Sequence, residues 1–318
     1  MDIDRYAAFL PPARRGPIAA PRQTWMDWRG RRVHIARGGA ADAESSPRSL
    51  RSSPPEVRAI LVHGGGGYSG ALWPLAGLVA GNRQGIGVEI LAPDMPLYGY
   101  TEEPAPGAVR YGDWIDLLCD IIVAERARDD RPIILFGASM GGMMAYEAAH
   151  RTGAVDAVLA TCLLDLSDPA ALAAASRIKI GGRLTGPLLR AAGAAIGSVR
   201  VPIRLIADMS AMSRNPGLSK LCATDPRGGG VRVPIGFLSS WLNYQHTPPE
   251  RYHGAPVTLV APAADTWTPP ELSLKFLRRI AGPTRTVLLE NCGHYPIEEP
   301  GLSQLEAVGR EVLEAVVA

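Results

Sequence analysis

The segment Gly137-Ala138-Ser139-Met140-Gly141 joins a short, fully apolar run at 133–136 to a helix-period segment at 142–150. A serine between glycines at a strand-to-helix turn can act as a nucleophile. The glycines remove Cβ atoms that would clash at so sharp a turn, and the turn lifts the hydroxyl above the sheet edge at the positive end of a helix. A hydroxyl attacks poorly until a base takes its proton, so a histidine oriented by a carboxylate must follow the serine, acid first in this chain order. Of the six histidines, His34 and His63 precede Ser139, His150 ends its helix, and His246 and His253 lie in or beside a segment of different character. His294 is the expected base: it follows a strand-like run at 286–289, which brings it out on the same carboxyl edge of the sheet as Ser139. Asp265, after the run at 257–261, is the expected acid, and Asp165, at the end of the strand before it, is the competitor.

An oxyanion formed by attack on a carbonyl needs N–H donors already aimed at it. The Met140 N–H is one candidate and Gly65 the other, because His63-Gly64-Gly65-Gly66-Gly67 follows the run at 58–62 and lets backbone approach a substrate closely at Gly64 and Gly65. A glycine run also suits a flexible loop or a phosphate cradle, but no Gly-Lys-Ser/Thr follows it. His63 is expected to hold the loop by hydrogen bonding.

The elements that must position these groups are strands alternating with helices: strands at 58–62, 88–92, 133–136, 157–164, 257–261 and 286–289, and helices at 72–80, 114–127, 142–150, 269–280 and 305–316. Such alternation calls for right-handed crossovers and an open, mainly parallel sheet with helices on both faces, an α/β fold. The alternation breaks at 166–256, which reads as short helices punctuated by Pro187, Pro202, Pro216 and Pro234 and divides the core into 23–165 and 257–318. Over 166–250 ten Lys or Arg face four Asp or Glu, so this cap carries +6 and the rest of the chain about −4. Met209, Met212, Phe237, Leu238, Trp241 and Tyr244 are its candidates to line an apolar pocket over Ser139. Residues 1–22, with four prolines and no periodic pattern, read as an irregular arm on the surface or on a neighbouring subunit, and 38–55 as a mobile Gly/Ser/Pro-rich loop.

Composition sets bounds. A net charge of +2 over 318 residues argues against a nucleic-acid partner, and 47% hydrophobic with 20% charged residues suits a folded, water-soluble core. No apolar stretch approaches the roughly 20 residues that span a bilayer, and acids near the N-terminus oppose a secretory signal, so a cytoplasmic location is the default expectation. Cys119, Cys162, Cys222 and Cys292 form no C-x-x-C pair and are expected to be reduced packing residues, with no metal or other cofactor in use.

Residues 56–318 resemble a serine hydrolase of the α/β-hydrolase superfamily with a helical cap, similar to its monoacylglycerol lipase, lysophospholipase and carboxylesterase-like branches. The resemblance rests on His63-Gly64, Asp94-Met95-Pro96 with Gly99, the Ser139 turn, the Asp265 loop, and Gly293-His294 followed by Glu299-Pro300. Leu97 and Thr101 stand where D-x-P-G-x-G-x-S has glycine and serine, a departure that touches a structural turn. The resemblance implies a cofactor-independent hydrolase of carboxylic esters or lactones working through an acyl-serine, and Ser139 sets aside the branches with a carboxylate nucleophile. The expected partner is a bulky or extended apolar small-molecule ester or lactone, with the arm or cap free to serve a homo-oligomer. The rivals are acyl transfer, carbon–carbon bond hydrolysis or perhydrolysis on the same triad, and a ligand-binding receptor on the same scaffold.

Overall fold

The structure is a computed structural model, and it describes residues 3–16, 18–39, 56–80, 86–175 and 185–318. Most of the 38–55 segment therefore lies outside the described residues. A short helix α1 (Asp4–Ala7) precedes the hairpin β1 (Arg22–Trp28) and β2 (Arg31–Gly39). Arg29 and Gly30 turn that hairpin with φ of 47° and 78°, the paired positive values of a two-residue turn whose twist matches its strands. Then follow β3 (Val57–Val62), α2 (Ser69–Ala80), β4 (Val88–Pro93), α3 (Tyr111–Arg126), β5 (Ile133–Gly137), α4 (Met140–Thr152) and β6 (Ala157–Ala160). The insertion holds α5 (Pro169–Ala175), α6 (Thr185–Ile196), β7 (Arg200–Pro202), α7 (Pro216–Thr224), β8 (Arg232–Pro234) and α8 (Ile235–Leu242). The core resumes with β9 (Val257–Pro262), α9 (Pro270–Leu277), β10 (Thr284–Leu289) and α10 (Gly301–Val317).

Eight strands form one sheet in the order β1-β2-β4-β3-β5-β6-β9-β10. The first two are antiparallel additions and the other six run parallel, as the alternating pattern requires. Strands β3 to β6 and β9 are buried along their whole length, because helices cover both faces, whereas the edge strand β10 is largely exposed. Among the described residues no helix is long and apolar enough to cross a membrane.

Two sequence expectations change. The insertion contains a strand pair after all, β7 and β8, three residues each and antiparallel, too short to show a period. The arm, expected on the surface or on a neighbouring subunit, packs instead into its own chain: Ile3, Tyr6 and Leu10 are buried, and the Tyr6 hydroxyl donates to Asp225 Oδ2 at 3.0 Å, deep in the insertion. The departure at Leu97 has a visible form. Leu97 holds a φ of 85° that glycine would take without strain, and Thr101 supplies the missing serine's hydroxyl, donating to the Asp94 carbonyl and accepting from the His34 N–H.

Candidate active site

Ser139 caps α4 directly after β5, with φ 54° and ψ −124°, a strained conformation for a side-chain-bearing residue. Close packing explains the flanking glycines. A Cβ on Gly137 would come within 2.4 Å of the Gly141 carbonyl oxygen, and one on Gly141 within 2.2 Å of the Val62 carbonyl oxygen. The Ser139 N–H donates to Thr161 Oγ1 at 2.9 Å, so the end of β6 pins the turn.

The loop after β3 lies against this turn. A Cβ on Gly64 would meet the Ala138 carbonyl oxygen and Ser139 Cβ at 2.9 Å and the Met140 nitrogen at 3.1 Å. Met140 opens α4, so its N–H has no acceptor within the helix. Gly65 continues the loop beside the Met140 side chain. His63, fully buried, holds the loop: its Nδ1–H donates to the Gly64 carbonyl at 2.8 Å, and its Nε2 accepts from the Met95 N–H at 2.9 Å. Burial keeps this ring's pKa below the ordinary histidine value, as a neutral ring that both donates and accepts requires.

His294 and Asp265 meet after β10 and β9. His294 Nδ1 lies 2.7 Å from Asp265 Oδ2, and both side chains are almost wholly buried. Three further donors hold the carboxylate: the Trp267 and Thr268 N–H groups on Oδ1 at 2.9 and 3.0 Å, and the Thr268 hydroxyl on Oδ2 at 2.8 Å. Burial pushes the Asp265 carboxyl up, but the bond and charge of His294 and the Thr268 bonds outweigh it and hold the group below its ordinary value. The Trp267 ring packs on the imidazole with centroids 4.6 Å apart. His294 Nε2 is buried and has no hydrogen-bond partner among the described residues. Asp165 is elsewhere, accepting from Ser167 and facing Arg279 at 4.0 Å. His246 meets the Tyr111 hydroxyl, and the His253 N–H donates to His150.

Ser139 and His294 line one cavity of about 50 Å3, with Gly64 to Gly67 on one side and an apolar wall of Leu72, Leu75, Phe136 and Tyr295. Of the cap residues expected there, only Met212 lines it. Met209 is buried behind the glycine loop, where a Cβ on Gly66 would meet its terminal methyl at 2.8 Å. Phe237, Leu238, Trp241 and Tyr244 belong to the packing between insertion and core; Phe237 sits on Tyr111 and Trp114 and Tyr244 on Tyr111. The buried aromatic faces of Tyr111 and Trp114 on α3 thus take up Phe237 and Tyr244 in place of a cavity. Tyr6 and Cys222 line the cavity instead, along with Thr161. Ile3, Tyr6 and Leu10 stand at spacings of three and four, a signal too short to register as a period among the prolines of 1–22, and nothing local announced the partner Asp225. All four cysteines are free and buried, and burial pushes the Cys222 thiol up to about 12.

A family model described as the alpha/beta hydrolase family matches residues 59–302. No curated protein matches the chain. Among solved structures, a monoacylglycerol lipase from Paleococcus ferrophilus is 23% identical, with 90% of this chain and 98% of that one aligned at a TM-score of 0.65. A soluble variant of the Saccharomyces cerevisiae monoglyceride lipase, in complex with a substrate analog, is 14% identical over 95% and 97% of the two chains at 0.72. Est1E from Butyrivibrio proteoclasticus, with ferulic acid bound, is 15% identical over 92% and 99% at 0.61. At these identities the likeness concerns the fold.

Proposed function

The chain belongs to the alpha/beta hydrolase family, and from that premise we propose that it is a serine hydrolase of carboxylic esters or lactones with an extended apolar acyl part. The observation that carries the proposal is one cavity that brings together a serine on a strained strand–helix turn and a buried histidine already paired through Nδ1 to a carboxylate. Ser139 Oγ attacks the carbonyl carbon and His294 Nε2 takes its proton, while Asp265 keeps the other ring proton on Nδ1 and balances the imidazolium charge. Among the described residues Nε2 has no partner, and the bond between such a base and its serine commonly tightens only when substrate is bound. The Met140 and Gly65 N–H groups receive the oxyanion. His294 then protonates the leaving alcohol, and water, deprotonated by the same ring, releases the acid and restores the serine.

The apolar wall favours an acyl chain over a charged group, and the small cavity favours an extended chain over a bulky one. The monoacylglycerol and monoglyceride lipases among the similar structures accord with ester chemistry. The test is turnover of p-nitrophenyl esters by the wild type and by Ser139→Ala. Ser139→Ala should lower kcat by about 10⁴–10⁶ with an unchanged melting temperature. Release of no more than one equivalent by the wild type would favour a receptor on this scaffold, and faster release with added alcohol or peroxide, forming the new ester or peracid, would favour the transfer rivals.

A further inference from the structure

A second, smaller cavity of about 20 Å3 lies beyond the first. Its lining is Leu61, Leu72, Leu75, Phe136, Leu159 and, from α10, Leu305, Glu306 and Gly309. Leu72, Leu75 and Phe136 line both cavities, so a single layer of side chains separates them. The floor is continuous: Leu61 pairs in register with Phe136, and Phe136 with Leu159, a row across β3, β5 and β6. Helices α2 and α10 form the roof. The space is apolar except at its far end, where Glu306 is tied to Arg14 at 2.8 Å and to Arg310 at 3.7 Å. Gly309 is buried, yet a Cβ built on it would meet nothing within 4 Å. Interiors normally close such gaps between a sheet and its helices, and a buried glycine facing free space leaves this one open.

We propose that the second cavity is the distal part of an acyl-binding tunnel. It starts at Ser139, passes Leu72, Leu75 and Phe136, and runs between the sheet and helices α2 and α10, away from the insertion. The proposal rests on the serine-ester reading above and deepens it by naming the acyl group. Phe136 lies on β5, three residues before Ser139, which follows the strand at the turn into α4; three residues span at most about 10 Å, so a straight chain bound as acyl-serine passes the constriction within about eight carbons, and one of about ten to twelve reaches beyond it toward Gly309. The occupant is thus an unbranched, saturated acyl chain of medium length. A branched or aromatic acyl group would have to displace more of the Leu72, Leu75 and Phe136 layer than a straight chain does.

The test compares the full-length wild type with Gly309→Leu, whose side chain fills the distal cavity from a helix position, on p-nitrophenyl acetate through myristate. The wild type should peak at decanoate or dodecanoate, and Gly309→Leu should lower the ratio of decanoate to acetate kcat/KM by tenfold or more, shifting the optimum toward butyrate. Gly309→Ala should give a smaller shift in the same direction, and it decides the matter if the leucine variant fails to fold. A second readout is independent of catalysis: sodium decanoate should raise the melting temperature of the wild type more than that of either variant. Ester turnover with an unchanged chain-length profile in the variants overturns the tunnel and leaves the serine-ester reading standing. Absence of turnover on every ester removes that reading, and the decanoate shift then decides the tunnel alone.

Discussion

Replacing Asp265 by Asn tests the site at the point where its geometry makes the most specific demand. Oδ1 accepts from two backbone N–H groups, those of Trp267 and Thr268, whereas Oδ2 faces the Thr268 hydroxyl and His294 Nδ1. An amide in this socket must put its oxygen at the Oδ1 position, because its NH2 cannot accept from two backbone donors. The NH2 is then aimed at Nδ1, which must accept, and the ring proton moves to Nε2. A ring protonated there cannot take the serine proton. The loss should be on the order of 10⁴ in kcat, about 5 kcal/mol of transition-state stabilisation. Folding should change little, since both backbone donors keep an acceptor. Asp165→Asn, which disturbs only the bonds to Ser167 and the distant Arg279, should cost less than about threefold. The assay is kcat/KM on a medium-chain p-nitrophenyl ester, with circular dichroism to check folding. Equal losses in the two variants, or an Asp265→Asn protein keeping a tenth of the activity, would refute the reasoning.

Two further predictions concern stability. Arg58 is fully buried and reaches Glu89 at 3.0 Å, Glu125 at 3.1 Å and Asp129 at 3.0 Å, so Arg58→Met should cost about 3–5 kcal/mol by stranding buried carboxylates. A loss under about 1 kcal/mol in urea unfolding would mean that Arg37, Arg128 and Arg131 already neutralise the cluster. Burial lowers the pKa of half-buried His246 to about 4, against a small opposing pull from Asp165, and burial lowers that of His63 as well. Below the unfolded value near 6.5 the unfolded chain binds protons that these folded rings refuse, so stability should fall as pH drops from about 6.5 to about 4. For His246 the loss is at most roughly 3 kcal/mol, less as water reaches the ring. His246→Gln should flatten that slope in melting curves between pH 7 and 4.5, and an unchanged slope would remove His246 from the account.

What the sequence made legible follows from how locally each feature is determined. The Ser139 turn was readable because glycine, serine and an adjoining apolar run are all local, and the chain order of Asp265 and His294 because parallel strands deliver their loops to one edge. The cap pocket was not. Trp241 or Phe237 is apolar whether it lines a cavity or packs on α3, and only the position of Trp114 and Tyr111 decides. Thr268 and Thr161 act through single hydroxyls whose partners lie in folded space, although a threonine three residues after Asp265 is a turn signal that could have been used. Tyr6 depended on a partner 219 residues away.

That partner bears on how the insertion behaves. Asp225 is buried and accepts from Tyr6 and Tyr68; Glu298 accepts from the Ser213 hydroxyl and the Arg214 N–H; the Tyr111 N–H donates to Ser240; and the Thr247 N–H donates to Glu147. These bonds tie the insertion to the arm, to the loop before α2, to the loop after His294, to α3 and to α4. At a net contribution of about 1 kcal/mol each, breaking them would cost about 6 kcal/mol before any apolar surface is exposed, so wholesale detachment would occupy fewer than one molecule in about ten thousand. An insertion fastened on so many sides acts as a wall for the cavity rather than a door. An acyl chain must then find its space inside the closed molecule, and the direction in which the described structure leaves apolar room is past Phe136 toward Gly309.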